Sequence, residues 1–167
     1  MAQGQWYLLR CKPREDSRAE GELLNQEFTV FRPVIAREKL VRRKKKTVIE
    51  SLFPDYIFIN LSDSDDSSTI QYTRGVIGFV RFGGYPTPVD HSVVSRLKAR
   101  VDGFGHAKNT PVALFSEKAK LAITSGPLKG LEGIFQKETG DERVVLLLNF
   151  MQNQQTVKVP LDAVKAV

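Results

Sequence analysis

"GPLKGLEGIFQKETGDERVVLLLN", residues 126–149, can be read in two ways, and the choice decides how the chain's C-terminal part folds. As strands it supplies "EGIFQK" (132–137) and "RVVLLLN" (143–149), which "KLAI" (120–123), "TVKV" (156–159) and "DAVKAV" (162–167) extend to five. The connectors "TSGPLKG", "TGDE" and "QNQQ" are glycine-rich or polar, so the strands would close into a small barrel. As helices, Pro127 suits a first turn, and Leu128, Leu131 and Phe135 fall on one face. Thr139 and Glu142 then have capping-box spacing before a second apolar stripe, Val144, Leu147, Leu148 and Met151. Gly130 and Gly133 cost such a helix roughly 1 kcal/mol each relative to Ala. Both patterns occupy the same residues.

Upstream, "DGFGHAKNTPVALFSE" (102–117) has Gly, Asn and Pro and no clear period, and reads as a linker. It separates a small unit, 118–167, from a larger one, 1–101. In the larger unit "QWYLLRCK" (5–12) reads as a strand, with Pro13 at a turn or helix start. "REDSRAEGELLNQEF" (14–28) reads as a helix, acidic in its first turn and apolar at Ala19, Leu23, Leu24 and Phe28, which leaves Arg18, Glu22, Asn25 and Gln26 mostly solvated. "FTVFRPVIA" (28–36) and "TVIESLFPDYIFINL" (47–61) are strand-like. "SDSDDSSTIQY" (62–72) opens with capping residues before a short helix. "GVIGFVRF" (75–82) is a further strand, and "DHSVVSRLKARV" (90–101) a helix capped by Asp90. The order β-α-β-β-α-β-α predicts one layered α+β domain.

Between the two strand-like stretches lies "REKLVRRKKK" (37–46), placed in a protruding hairpin or loop. It holds seven basic residues against Glu38, an excess equal to the whole chain's formal charge of +6. Five consecutive cations, Arg42, Arg43, Lys44, Lys45 and Lys46, repel one another unless a polyanion lies nearby. A nucleic-acid backbone is the natural counterpart, attracted by counterion release, so the prong would position the chain along a duplex without reading bases. A reading surface needs other side chains. Lys12, Arg18 and Gln26 of the first helix and its approach, with Thr73, Arg74 and Gly75, offer donors to base edges, and Gly75 permits close backbone approach.

Hydrophobic residues make up 41% and charged residues 26% of the 167, the balance of an ordinary soluble globular protein. No apolar run reaches membrane-spanning length, no signal peptide is read at the N-terminus, and the single cysteine, Cys11, suits a reducing cytoplasm as a buried strand residue. No phosphate loop, nucleophile elbow, zinc helix or cysteine pair is present. His91 and His106 read as unrelated surface residues. "SDSDD" (62–66) lacks the glycine and distal Glu of a calcium loop and reads as a solvated cap. No metal, cofactor or catalytic residue is expected, and the chain reads as a non-enzyme.

"WYLLRCK" (6–12), "LFPDYIFINL" (52–61), "TRGVIGFVRFG" (73–83) and "VVLLLNF" (144–150) together resemble the NusG family of transcription elongation factors. "KLAITSGPLKGLEGIF" (120–135) looks like the family's KOW motif, and "TRGV", "FVRFG" and "LLLN" tilt the match towards its specialised paralogue RfaH. The resemblance implies an NGN-type antiparallel sheet flanked by helices, a linker, and a KOW domain that is either a helical hairpin when closed or a five-stranded barrel when released. It also implies a monomer in the bacterial cytoplasm, an operon-specific antitermination factor that binds RNA polymerase at its clamp helices and suppresses pausing. A DNA element on the non-template strand would recruit it through Lys12, Arg18, Gln26, Thr73, Arg74 and Gly75.

At two further positions of that surface the chain has Glu22 and Asn25, where a basic or imidazole side chain is expected. Tyr56, Phe58 and Phe82 match the apolar clamp-binding pocket, and Ser67 and Ser68 match the contact with the opposite side of the polymerase cleft. Glu50 and Arg143 fall at interdomain ion-pair positions, with Leu131, Phe135 and Leu147 as the apolar partners of the pocket. Phe150 and Met151 would meet a small-ribosomal-subunit protein. Two other readings stay open: a general elongation factor with a permanent barrel, and a ribosome-associated KOW protein whose basic hairpin contacts RNA.

Overall fold

Strand β1 (Gln5–Cys11) is the apolar run expected at the N-terminus, and it lies inside an antiparallel sheet. The computed structural model describes residues 4–102, 131–137 and 139–156. The chain divides into two compact units, Met1–Lys108 and Asn109–Val167. The N-terminal unit continues with α1 (Asp16–Asn25), β2 (Thr29–Phe31), β3 (Val34–Val41), β4 (Lys44–Ser51) and β5 (Tyr56–Leu61). A 3-10 helix (Ser67–Tyr72), β6 (Val76–Phe79), β7 (Pro88–Val89) and α2 (His91–Asp102) complete it. The main sheet runs β2-β5-β1-β6, with β7 also paired to β1. Its register sets Leu8 opposite Phe58 and Arg10 opposite Tyr56.

Alternation along β1 and β5 divides the side chains between two faces. Leu9, Cys11, Ile57, Ile59 and Val76 pack with Ala19 and Leu23 of α1 and Ile70 of the 3-10 helix. Trp6, Leu8 and Phe58 belong to the other face, where Lys98 of α2 holds its ammonium 4.9 Å from the Trp6 ring centre and 5.4 Å from that of Phe31. Each fully buried Leu, Ile or Phe contributes about 1.5–3 kcal/mol, so the two faces together supply most of the drive to fold.

The two long strand-like stretches each break at a proline. Pro33 separates β2 from β3, and Pro54, with Asp55 in left-handed backbone at φ 70°, separates β4 from β5. Proline lacks the N–H that a continuous ladder needs. α1 is also shorter than the periodicity suggests. It stops in a Schellman motif, with Phe28 N–H donating to Leu23 O at 3.1 Å and Glu27 N–H to Leu24 O at 2.9 Å. Glu27 occupies the left-handed position, φ 67°, where glycine would normally advertise the stop. The caps expected at the other helices are present. Asp66 accepts from Ser68 N–H at 3.0 Å, and Asp90 from Ser92 N–H at 2.9 Å.

In the C-terminal unit, α3 (Leu131–Gln136) and α4 (Gly140–Thr156) pack on each other. Thr139 Oγ1 accepts from Glu142 N–H at 3.2 Å, the contact its capping spacing predicts. Leu147 and Met151 of the expected stripe are buried, as is Ile134. "EGIFQK" and "RVVLLLN" are therefore helical rather than extended in this structure. The strands expected at 120–123, 156–159 and 162–167, and the linker beyond Asp102, lie outside the described residues apart from Thr156, the last residue of α4.

Candidate nucleic-acid interface

Asp16 fixes the helix that carries half of the candidate surface. Its carboxylate accepts from Ser51 Oγ at 2.6 Å and Ser17 N–H at 3.0 Å, and Ser51 in turn accepts from Arg32 Nη1 at 2.8 Å. Arg14 N–H donates to Asp55 Oδ1 at 2.9 Å, so the approach to α1 is tied to the start of β5. Sequence periodicity marks Asp16 only as a first-turn acid, because a network spanning 35 residues leaves no local signal.

The Thr73–Gly75 loop sits directly on this helix. Lys12 N–H donates to Gly75 O at 2.8 Å, and Gln26 Nε2 donates to Thr73 Oγ1 at 2.9 Å. Gly75 has φ +89°, and a Cβ there would lie 3.0 Å from Glu15 O and 3.2 Å from Ala19 N. The close approach that this glycine permits is thus to the first turns of α1. Thr73 is buried and also donates to Thr69 O at 3.1 Å, so it braces the loop from within. Lys12, Arg18, Gln26 and Arg74 remain exposed around it. Arg18 pairs with Glu15 at 3.2 Å on the helix surface. Glu22 is half-buried and gives its carbonyl to Gln26, while Asn25 is exposed.

One aromatic joins these cations that the sequence reading passed over. Tyr72 is 82% exposed and adjoins the loop. An exposed ring beside arginines offers a stacking platform for unpaired bases. The signal was its position in "QYTRG", hidden because the preceding residues read as a helix with an inward apolar side.

Of the hairpin and the loop expected for the basic segment, the structure has the hairpin: its residues form the arms of a separate two-stranded sheet, β3 with β4. Arg42 and Arg43 alone make its turn, with φ 53° and 66°. Within the ribbon Lys39 and Arg37 reach Glu50 at 2.9 and 3.2 Å. Arg143 is buried and donates from Nη1 to Lys137 O at 3.1 Å.

Tyr56 is half-buried and shares a sheet face with Phe58, which is fully buried between Phe31 and Phe53, ring centres 5.9 and 6.0 Å away. Phe82 is half-buried in the loop after β6, where its N–H donates to Thr87 Oγ1 at 2.8 Å. Ser67 and Ser68 are exposed at the head of the 3-10 helix. Ser68 donates to Asp66 from both Oγ and N–H, which holds the Asp66 carboxyl below its usual pKa. Ser67 also borders a cavity of about 310 Å³ with Tyr7, Phe79, Asp63 and Asp65. Leu131 is the first described residue of α3, Phe135 and Phe150 are half-buried, and Leu147 and Met151 are buried.

Among the described residues no group of three or more His, Cys, Asp or Glu side chains is placed to hold a metal ion, and no helix is long and apolar enough to cross a membrane. Cys11 is buried, and desolvation, reinforced by Asp16 and Asp55, pushes its thiol up to about 12.

The family model described as transcription termination factor nusG matches residues 4–98, which hold this sheet, α1, the loop and the ribbon. The chain belongs to the NusG family. The transcription termination/antitermination protein NusG of Thermus thermophilus is 26% identical over 147 residues, covering 77% of this chain and 79% of that protein. The NusG of Staphylococcus aureus (strain Mu50) is 23% identical over 172 residues, covering 96% of this chain and 94% of its own length. A solved structure described as "Domain interaction in Thermotoga maritima NusG" aligns over 59% of this chain and 57% of that one, at 22% identity and a TM-score of 0.38. The NusG family are transcription termination/antitermination factors and not enzymes.

Proposed function

We propose that this NusG-family chain is an operon-specific antitermination factor of the RfaH kind. Its N-terminal unit binds RNA polymerase through the Tyr56 and Phe82 region and suppresses pausing. A DNA element on the non-template strand recruits it through Lys12, Arg18, Arg74 and Tyr72. The observation that carries this reading is the seating of the Thr73–Gly75 loop on α1, which gathers exposed donors and one aromatic around a braced backbone. An unpaired strand is recognised by such stacking and hydrogen bonding, whereas the ribbon's charges track a duplex backbone.

The C-terminal unit, helical over the described residues, becomes a KOW barrel in its released state. Phe150 and Met151 then face a small-ribosomal-subunit protein. Glycine-rich "GPLKGLEG" (126–133) favours the second reading, a general elongation factor whose barrel is permanent.

Recruitment decides between them. Arg74→Ala combined with Lys12→Ala is expected to abolish pausing relief at one non-template element while polymerase retention at high factor concentration persists. Equal pausing relief on all templates, by wild type and variant alike, would support the general factor instead.

A further inference from the structure

The β3–β4 ribbon has a shape as well as a charge. Among the described residues it pairs with no third strand, and every residue from Glu38 to Thr47 is exposed. Its register sets Arg37, Lys39, Lys44 and Lys46 on one face, with Lys39 directly opposite Lys46. Lys45 shares the other face with Leu40 and Ile49, which are 74% and 55% exposed. Glu50 offsets the charge of Lys39 at 2.9 Å, which leaves Lys44 and Lys46 as the uncompensated cations of that face, and phosphates beside them would neutralise both. Arg42, Arg43, Lys44, Lys45 and Lys46 have no side-chain hydrogen bond or ion pair among the described residues.

The tip differs chemically from the arms. Its two-residue turn needs left-handed backbone at both positions, conformations that Asn and Gly adopt most readily. Arg42 and Arg43 hold them instead, so two guanidinium forks stand at the outermost point, with lysines behind. Lysine is a point charge suited to phosphate, whereas the arginine fork matches the O6 and N7 of guanine. A B-form major groove, about 12 Å wide and about 8.5 Å deep, admits a two-stranded ribbon. The A-form major groove of RNA is too narrow for side chains to read.

We propose that the ribbon tip enters the major groove of duplex DNA, where Arg42 and Arg43 read guanine edges while Lys44 and Lys46 bind the flanking phosphates. This rests on the reading of the ribbon as a duplex-binding arm and adds base recognition to it.

The test is fluorescence anisotropy of the full chain, over a salt series, with three duplexes. They are a guanine-rich DNA, the same DNA with 7-deazaguanine, which lacks N7, and the same sequence as RNA. Wild type is expected to bind the deaza duplex about tenfold more weakly. Arg42→Lys with Arg43→Lys should keep the salt slope and lose that difference. Lys44→Ser with Lys46→Ser should weaken binding to both DNA duplexes alike and lower the slope by about 2. Salt-dependent wild-type binding that is indifferent to the deaza substitution, or as tight for the RNA, overturns groove reading and leaves the duplex-binding arm standing. Absence of salt-dependent binding to any duplex overturns both.

Discussion

Gly75 and Glu27 both sit in left-handed backbone, and substitution at the two should act in opposite directions. At Gly75, Ala adds a Cβ 3.0 Å from Glu15 O and 3.1 Å from Ala19 Cβ, so backbone strain and crowding combine. A loss of about 1–3 kcal/mol is expected in urea unfolding of Gly75→Ala. An unchanged midpoint would mean that the loop is not seated on α1. At Glu27 the strain is already present, φ 67°, and Glu27→Gly should raise stability by about 1 kcal/mol. Cys11 offers a pH readout. Burial pushes its thiol from the ordinary 9.0 up to about 12, so the folded state holds the proton more tightly. The stability this contributes is complete below pH 9 and is lost as pH rises from there towards about 12. Thiol labelling at pH 8 should accordingly be negligible in the native protein and fast in denaturant. Burial of Cys11 was legible from its apolar run, but the contacts of Gly75 and the brace at Thr73 were not. Each depends on a partner dozens of residues away, which leaves no trace in local spacing.

At the scale of elements, α3 is the least self-sufficient piece described. Its six described residues fall below the roughly 12–15 at which an isolated helix becomes even marginal in water. Gly133 lies inside it, and a Cβ there would meet nothing within 4 Å. Gly133→Ala should therefore stabilise the helical form by about 1 kcal/mol, seen as higher helical ellipticity and a later thermal transition. A lower ellipticity would show that extended structure prevails there in solution. The main-sheet strands were largely legible because alternation and β-branched residues mark them. Their ends were misjudged where Pro33 and Pro54 cut the ladder, and β7, only two residues long, gave no pattern to read.

For the whole molecule, the test is circular dichroism of the full chain beside a 111–167 fragment. Full-length protein should show the ellipticity of α3 and α4, and the fragment a β-rich spectrum if the C-terminal unit changes fold when released. Identical helical contributions in both would remove the switch from the proposal. Sequence alone determined where charge collects, which runs form the central sheet, and where Asp66, Asp90 and Thr139 cap helices. These are properties of a residue and its near neighbours. Tertiary structure decided which basic residues share a ribbon face, which side of the TRG loop turns inward, and how residues 131–137 and 139–149 fold. That stretch carries a strand period and a helix period at once, so local pattern does not choose between them. The conformation then follows from how much apolar surface each fold buries, which is set by the folded chain and not by the segment.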